Sequence, residues 1–338
     1  VLTKQARIAE IADRYRSESL VSLGHHIDRR WLIAAKEMVR RGGAAGVDGV
    51  TALEYEKELE GNLRSLEAGM KSGRYKAPPV RRVYVPKGNG EKRPLGIPTY
   101  EDKIAQRAIQ MILEPIYEQQ FYDFSYGFRP GKSPHDALNR LWNEGRLSYG
   151  KAGTPQGGVI SPLPSNIFLH EVLDAWFAEQ VQPRLRGKAA MVRFADDAVL
   201  LFETYDDLKW VGKVLGKRFE KYGLKLNEEK TKVRRFLPPG KKGEVKPEPF
   251  DFLGFTHYWG KSRKGNWVVK RKTQGKRLAK AVKTVAMWCR RYRHESINVQ
   301  WKALNRKLLG HYAYYGITPI VKVSMYSMNG KNVYGSNG

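Results

Sequence analysis

Two adjacent carboxylates interrupt an otherwise apolar run, Ala190-Met-Val-Arg-Phe-Ala-Asp-Asp-Ala-Val-Leu-Leu-Phe202, and no other stretch narrows the fold as much. Apolar segments on either side of a short polar break read as two buried strands joined by a tight turn, with the acids at the hairpin tip. Like charges held together away from water repel unless something positive neutralises them. A pair of divalent cations gripping a nucleotide triphosphate would do so, as in template-directed phosphoryl transfer. A surface β-turn is the other solution, because Asp suits turn geometry on its own account.

Charge narrows the choice of partner. The 338 residues carry 61 Lys and Arg against 34 Asp and Glu, a net charge of +27, and 41% are hydrophobic. That apolar content supports a substantial core and more than one domain. So large a positive charge repels itself unless a polyanion neutralises it. The bases are spread along the chain, which suggests a long positive face and nucleic acid as the partner, with an anionic membrane surface as the weaker alternative. No run approaches about 18 apolar residues, so no membrane span is expected. The first residues lack a signal-peptide pattern, and the lone Cys289 cannot form an internal disulfide. Both point to a reducing, cytoplasmic setting without a cysteine metal site. The adjacent His25 and His26 lack metal-ligand spacing and read as polar surface.

The first 70 residues read as helices. One covers Arg29 to Arg41; another, opened by the capping box Thr51-x-x-Glu54, runs to about Ala68. Strands at Val80–Tyr84 and Arg93–Ile97 flank Pro86-Lys-Gly-Asn-Gly90, whose Asn-Gly is a hairpin signal. Thr99-x-x-Asp102 opens a long helix, and shorter helices are expected over 134–142 and 163–177. After the Asp-Asp hairpin come a basic amphipathic helix over 207–222, a β-rich region over 250–270 and two basic helices at about 275–293 and 298–315. In the first of these two, Leu278, Val282, Val285 and Trp288 form a packing face opposite Arg277, Lys280, Lys283, Arg290 and Arg291.

Six ordered motifs carry a specific resemblance. They are Val80 to Pro98, Ser125-Tyr-Gly-Phe-Arg-Pro-Gly131, Gly153-Thr-Pro-Gln-Gly-Gly-Val-Ile-Ser-Pro162, Arg193-Phe-Ala-Asp-Asp197, Leu226-Asn-Glu-Glu-Lys-Thr231 and Phe252-Leu-Gly-Phe255. Together they resemble bacterial group II intron-encoded reverse transcriptase/maturases, and Gly310-His-Tyr-Ala-Tyr-Tyr-Gly316 resembles that family's thumb. The resemblance implies an α+β, right-hand polymerase-like fold with fingers, palm and a helical thumb. It divides the chain into an RNA-binding helical region (1–70), fingers and the start of the palm (71–145), remaining palm (146–255), basic thumb (256–318) and an irregular tail (319–338).

It also implies site roles. Asp196 and Asp197 would hold two Mg²⁺, and Lys87 and Arg93 would contact the triphosphate of a dNTP substrate. Gln156, Gly157 and Gly158 would lie under the nascent base pair, and Lys230 would sit near the departing pyrophosphate. Phe252, Leu253 and Gly254 would grip the primer 3′ end. For Lys87, Arg93 and Lys230, plain surface solvation is the competing reading; for Phe252 it is core packing. The implied partners are intron RNA, an RNA template and a DNA primer, with RNA-directed DNA synthesis and intron splicing as the activities. Oligomeric state cannot be read from the residues.

One expected element has no counterpart. The family places a further metal-binding Asp on a palm strand between the Tyr-Gly-Phe-Arg-Pro and Thr-Pro-Gln-Gly motifs, yet no Asp occurs between Asp136 and Asp174. Trp142 is followed only by Asn-Glu-Gly-Arg-Leu-Ser-Tyr-Gly-Lys-Ala-Gly153, too short for the strand and the helices that should follow it. The palm sheet is therefore expected to be incomplete. Pro164 is expected to kink the next helix, and Pro319 with its Gly/Asn-rich surroundings replaces a further basic helix. A non-catalytic intron-RNA-binding splicing factor and an inactive remnant of the family are the alternatives to a polymerase.

Overall fold

The computed structural model describes residues 1–16, 18, 20, 23–86, 92–143, 162–227, 230–239 and 247–316. Along the chain, α1 (Leu2–Arg14), α2 (Arg29–Glu37), α3 (Ala52–Lys57) and α4 (Leu59–Lys71) precede β1 (Arg81–Pro86) and β2 (Lys92–Ile97). There follow α5 (Tyr100–Tyr117), α6 (Pro134–Asn143) and α7 (Pro162–Leu169), then β3 (Ala189–Phe194), β4 (Asp197–Phe202) and α8 (Tyr205–Lys221). The last elements are β5 (Phe250–Phe252), β6 (Phe255–Lys261), β7 (Trp267–Thr273), α9 (Gly275–Tyr292) and α10 (Ile297–Tyr315). The architecture is mixed α+β, and the strands described form antiparallel sheets ordered β1-β2, β3-β4 and β5-β6-β7. Two compact units emerge: Val1–Lys132 with Gly153–Gln180, and Ser133–Ala152 with Val181–Gly338.

The first unit is organised around α5. Its i,i+4 apolar face buries Ile104, Ala108, Met111 and Ile112 against Ile8 and Ala12 of α1 and Trp31, Leu32 and Ala35 of α2. Each such large side chain contributes about 1.5–3 kcal/mol by leaving water. The Trp31 indole N–H donates to the Ala108 carbonyl at 3.0 Å, so this ring is buried without an orphaned polar group. The caps form as the sequence predicts. Glu54 N–H donates to the Thr51 hydroxyl and Thr51 N–H to the Glu54 carboxylate, while Thr99 caps α5 through Asp102 N–H.

The helix expected from Thr51 to Ala68 is two helices, broken at Glu58, and the second continues past Gly69 to Lys71. The one expected over 163–177 is α7 followed by π-type turns over His170–Asp174 and Trp176–Val181. Pro164 causes no loss there, because it lies in the first turn of α7, where N–H groups lack helical partners anyway.

The glycine-rich loop before Thr51 is fixed to α5 and β1. Lys103 Nζ donates to Ala44 O at 2.7 Å, and the Arg81 guanidinium donates twice to Ala45 O, at 3.0 and 2.8 Å. Burial lowers the Lys103 pKa. Gly46 lies so close to the Pro98–Thr99 backbone that a Cβ would come within 2.5 Å of Thr99 Cα. Backbone cannot yield as a flexible side chain can, so only glycine fits.

In the second unit, α6 packs on β3, burying Ala137 and Leu138 on the helix and Met191 and Val192 on the strand. Thr204 caps α8. Asp207 accepts from Gly187 N–H, the Thr204 hydroxyl and Arg186 N–H, tying α8 to the base of the hairpin. Those bonds, Gly187 foremost, hold its carboxyl below the usual range. The packing face expected on α9 is only partly covered, at Val285 and Trp288. Neither α9 nor α10 buries a residue, and Leu278 and Val282 are exposed, as are Trp301 and Leu309 on α10. Amphipathic periodicity establishes that a helix has two faces, but it does not supply the surface that covers one of them.

Candidate functional site

Two hairpin turns in the second unit carry the candidate chemistry. In the β3–β4 hairpin Phe194 pairs with Asp197, which leaves Ala195 and Asp196 as a two-residue loop. Ala195 adopts φ +52, a left-handed conformation that costs a residue with a Cβ about 1–2 kcal/mol. Asp196 and Asp197 are both exposed. The tip is therefore wet, and its carboxylates do not carry the burial penalty that a dry hairpin would impose.

The buried charge is instead Arg193, fully enclosed in β3 between Val192 and Phe194. Its Nη1 donates to Ala195 O at 3.1 Å, bracing the strained loop from below. Membership of the Arg193–Asp197 motif does not by itself reveal this bracing role. The available signal was a guanidinium set inside an apolar strand, where it needs hydrogen bonding to be tolerated.

In the β5–β6 hairpin Phe252 pairs with Phe255, and Leu253 and Gly254 form the loop. Both have positive φ, +49 and +80, matching a type I′ turn, whose twist suits a two-residue hairpin. Phe252 and Phe255 are buried, so Phe252 is a packed core residue at this turn. Helices from later in the chain clamp the loop. Tyr314 Oη donates to Leu253 O at 2.9 Å, Gln274 N–H donates to Gly254 O at 2.9 Å, and the Tyr314 and Tyr315 rings lie 5.7 and 5.3 Å from Phe255. A Cβ on Gly254 would meet Tyr315 Oη at 3.0 Å and Arg277 Nε at 3.3 Å. His135 of α6 adds a 3.0 Å hydrogen bond to Tyr314 O. The Gly310–Gly316 motif thus supplies the tyrosines of this clamp, a role that motif matching alone did not assign.

The remaining expected site residues divide in two. Lys230 is exposed, in a turn where its own N–H donates to the Asn227 side-chain oxygen at 3.1 Å. The Arg93 backbone lies in β2 opposite Val85. Lys87, Gln156, Gly157 and Gly158 lie outside the described residues.

The Tyr-Gly-Phe-Arg-Pro motif has a structural basis. Buried Arg129 donates to both Glu118 oxygens and to the Tyr122 and Ser125 carbonyls, and stands 5.1 Å over the Phe121 ring, stapling its loop to the end of α5.

Metal chemistry can be tested on the donors present. Among the described residues no group of three His, Cys, Asp or Glu side chains could hold a metal ion. Two carboxylates on a hydrated tip do not meet the needs of a two-metal centre, where bridging ligands fix both ions against the reacting phosphate. These donors do not fit a two-Mg²⁺ site. No helix is long and apolar enough to cross a membrane, among the described residues.

A sequence model for reverse transcriptase (RNA-dependent DNA polymerase) matches residues 135–257, a span that holds both turns. Protein YkfC of Escherichia coli (strain K12) is 31% identical over 290 aligned residues, which take in 60% of this chain and 76% of that protein. The group II intron-encoded protein LtrA of Lactococcus lactis subsp. cremoris is 36% identical over 166 residues, 33% of this chain but only 28% of LtrA. Nuclear intron maturase 2, mitochondrial, of Arabidopsis thaliana is 36% identical over 98 residues, 26% of this chain and 13% of its own length. The chain belongs to the reverse transcriptase family and is related to the group II intron maturases.

Proposed function

We propose that this chain is a maturase-type RNA-binding protein whose palm no longer supports DNA synthesis. The observation that carries the proposal is the exposed Asp196–Asp197 tip, which has no third carboxylate beside it among the described residues. The alignment lengths support an internal omission. The 290 positions aligned with the E. coli protein take up 60% of 338 residues, about 203, so the relative carries sequence without a counterpart here. The same holds for the Lactococcus protein, where 166 positions take up 33% of this chain, about 112 residues.

Binding tolerates such a loss better than catalysis does. Affinity built from many phosphate contacts drops by a fraction when one feature goes, whereas in-line transfer needs both metals in register. In this reading intron RNA is the partner. Residues 1–70 and the α9–α10 hairpin, with Arg277, Lys280, Lys283, Arg290 and Arg291, supply the cationic contacts, and all five of these side chains are exposed. Residues 71–145 correspond to the fingers and the start of the palm, 146–255 to the remaining palm and 256–318 to the thumb. Lys87, Arg93, Gln156, Gly157, Gly158 and Lys230 are vestiges of nucleotide binding.

The test pairs two measurements on the full chain. Affinity for intron RNA should fall linearly in log–log fashion with salt and exceed that for length-matched random RNA. Primer extension on an RNA template with Mg²⁺ and four dNTPs should give no product. A salt-independent affinity would sink the RNA-binding reading.

A second reading, RNA-directed DNA synthesis, is favoured by one observation, the retained primer-grip-like turn clamped by Tyr314 and Tyr315. Extension that disappears in Asp196→Asn would establish it, and would require a substitute metal ligand.

A further inference from the structure

The β5–β6–β7 sheet has one face that holds its buried residues and one whose residues are partly or fully exposed. Side chains alternate across a strand, so register assigns each residue to a face. Phe252, Phe255, His257 and Arg271 are buried on the first face, where Phe236 stacks its ring edge on Phe250 at 4.9 Å. On the opposite face lie Asp251, Thr256, Tyr258 and Gly260, with Val268, Lys270 and Lys272 of β7. None of these is buried.

That more open face presents an aromatic ring and cations. Tyr258 pairs with Lys270 across the strands, and the Lys272 ammonium stands 5.4 Å from the Tyr258 ring centroid. Gly260 leaves room for the Lys270 stem, since a Cβ there would come 2.9 Å from Lys270 Cδ. Lys270 and Lys272 are two residues apart on one strand, about 7 Å. Arg263 and Lys264 continue the positive charge into the exposed β6–β7 turn. The one acid on this face, Asp251, is engaged through both oxygens, by the Thr256 hydroxyl at 2.5 Å and the Gln274 amide at 2.8 Å. It lies at the end away from Arg263 and Lys264.

We propose that this face is a binding platform for single-stranded nucleic acid, with one unpaired base stacked on Tyr258 and adjoining phosphates held by Lys270 and Lys272. The chemistry selects that ligand. A partly exposed ring offers a stacking surface, lysines at strand spacing offer point charges to a phosphate chain, and Asp251, the one carboxylate on this face among the described residues, is already bonded. Duplex nucleic acid buries its base faces and cannot stack on the ring. The inference deepens the RNA-binding reading and rests on it, but it concerns one site among several that would hold RNA.

The experiment uses the full chain and short fluorescent oligouridylate and oligodeoxythymidylate, with a duplex of the same length as control. Tyr258→Ala should weaken single-strand binding about tenfold and Tyr258→Phe should leave it within about twofold, because stacking needs the ring and not the hydroxyl. Lys270→Ala with Lys272→Ala should flatten the log–log salt slope by about 1.4, two contacts at about 0.7 each for single strands. Duplex binding should be little changed by Tyr258→Ala. Comparing the uridylate and thymidylate arms shows whether the platform tells RNA from DNA. Unfolding midpoints must stay near that of the unaltered chain, and a photoactivated 4-thiouridine probe should cross-link within β6. Unaltered single-strand affinity in Tyr258→Ala overturns the platform even if the lysine variant binds less well. An equal loss on duplex overturns it too, since that marks a general cationic or acidic-partner surface. If the unaltered chain binds no nucleic acid at all, the RNA-binding reading fails along with it.

Discussion

The two hairpin turns are alike in length and opposite in support. The Ala195–Asp196 loop places a residue with a Cβ at φ +52, exposes both acids and is braced from beneath by Arg193. The Leu253–Gly254 loop places glycine at its φ +80 position and is bonded from above by Tyr314 and Gln274. A strained conformation persists only where its surroundings over-determine it. The second turn meets that condition through Tyr314, 61 positions away in sequence, and Gln274, while the Arg193 bond to the first comes from two residues before its acceptor.

The largest expected effect that sharpens this contrast comes from pH. His257 lies three residues beyond Gly254, and burial first, then the Arg271 guanidinium, pushes its pKa down to about 4; Asp251 opposes the shift. A His held neutral in the fold contributes stability above its unfolded value near 6.5 and loses it as pH falls toward 4. Stability of the β5–β6–β7 region should fall by up to about 3 kcal/mol between pH 7 and 4, read from urea unfolding. His257→Phe should remove most of that slope; an unchanged slope would mean that other groups set the acid sensitivity.

Gly254→Ala comes next. It combines left-handed strain with crowding against Tyr315 and should cost about 2 kcal/mol, measured as a lower urea midpoint. Tyr314→Phe keeps the ring and removes the bond to Leu253 O, for about 1 kcal/mol. Hydrogen exchange in that variant should accelerate around residues 252–255 and leave the β3–β4 amides unaffected.

The smallest effect runs the other way. Ala195→Gly relieves strain but loosens the unfolded chain, for a net gain of about 0.5 kcal/mol. A loss there would mean that the Ala195 methyl makes contacts that outweigh its backbone strain.

Local chemistry was the legible part of the sequence. The Thr51 box, the Thr99 cap and the strand-turn-strand patterns each depend on residues within a few positions, and the structure forms them as read. The bond between Tyr314 and Leu253 spans 61 positions and leaves no periodic trace. The bracing role of Arg193 was hidden for a related reason, because a single cation in an apolar run looks like noise until its acceptor is seen. Reading α9 as amphipathic was sound local inference, but which surface covers an apolar face is a tertiary fact. The break at Glu58 and the π-type turns after Leu169 escaped notice because apolar spacing hardly changes across them.

The uneven burial of tryptophan has an optical consequence. Trp31 is sealed in the first unit with its indole N–H bonded to Ala108, whereas Trp301 on α10 is 63% exposed. Light absorbed by one is emitted from a dry, rigid site, and by the other from water. Iodide reaches Trp301 and not Trp31, so in variants that keep one or the other of the chain's eight tryptophans quenching would separate their signals without any label. The chain carries within itself an internal standard and a surface probe.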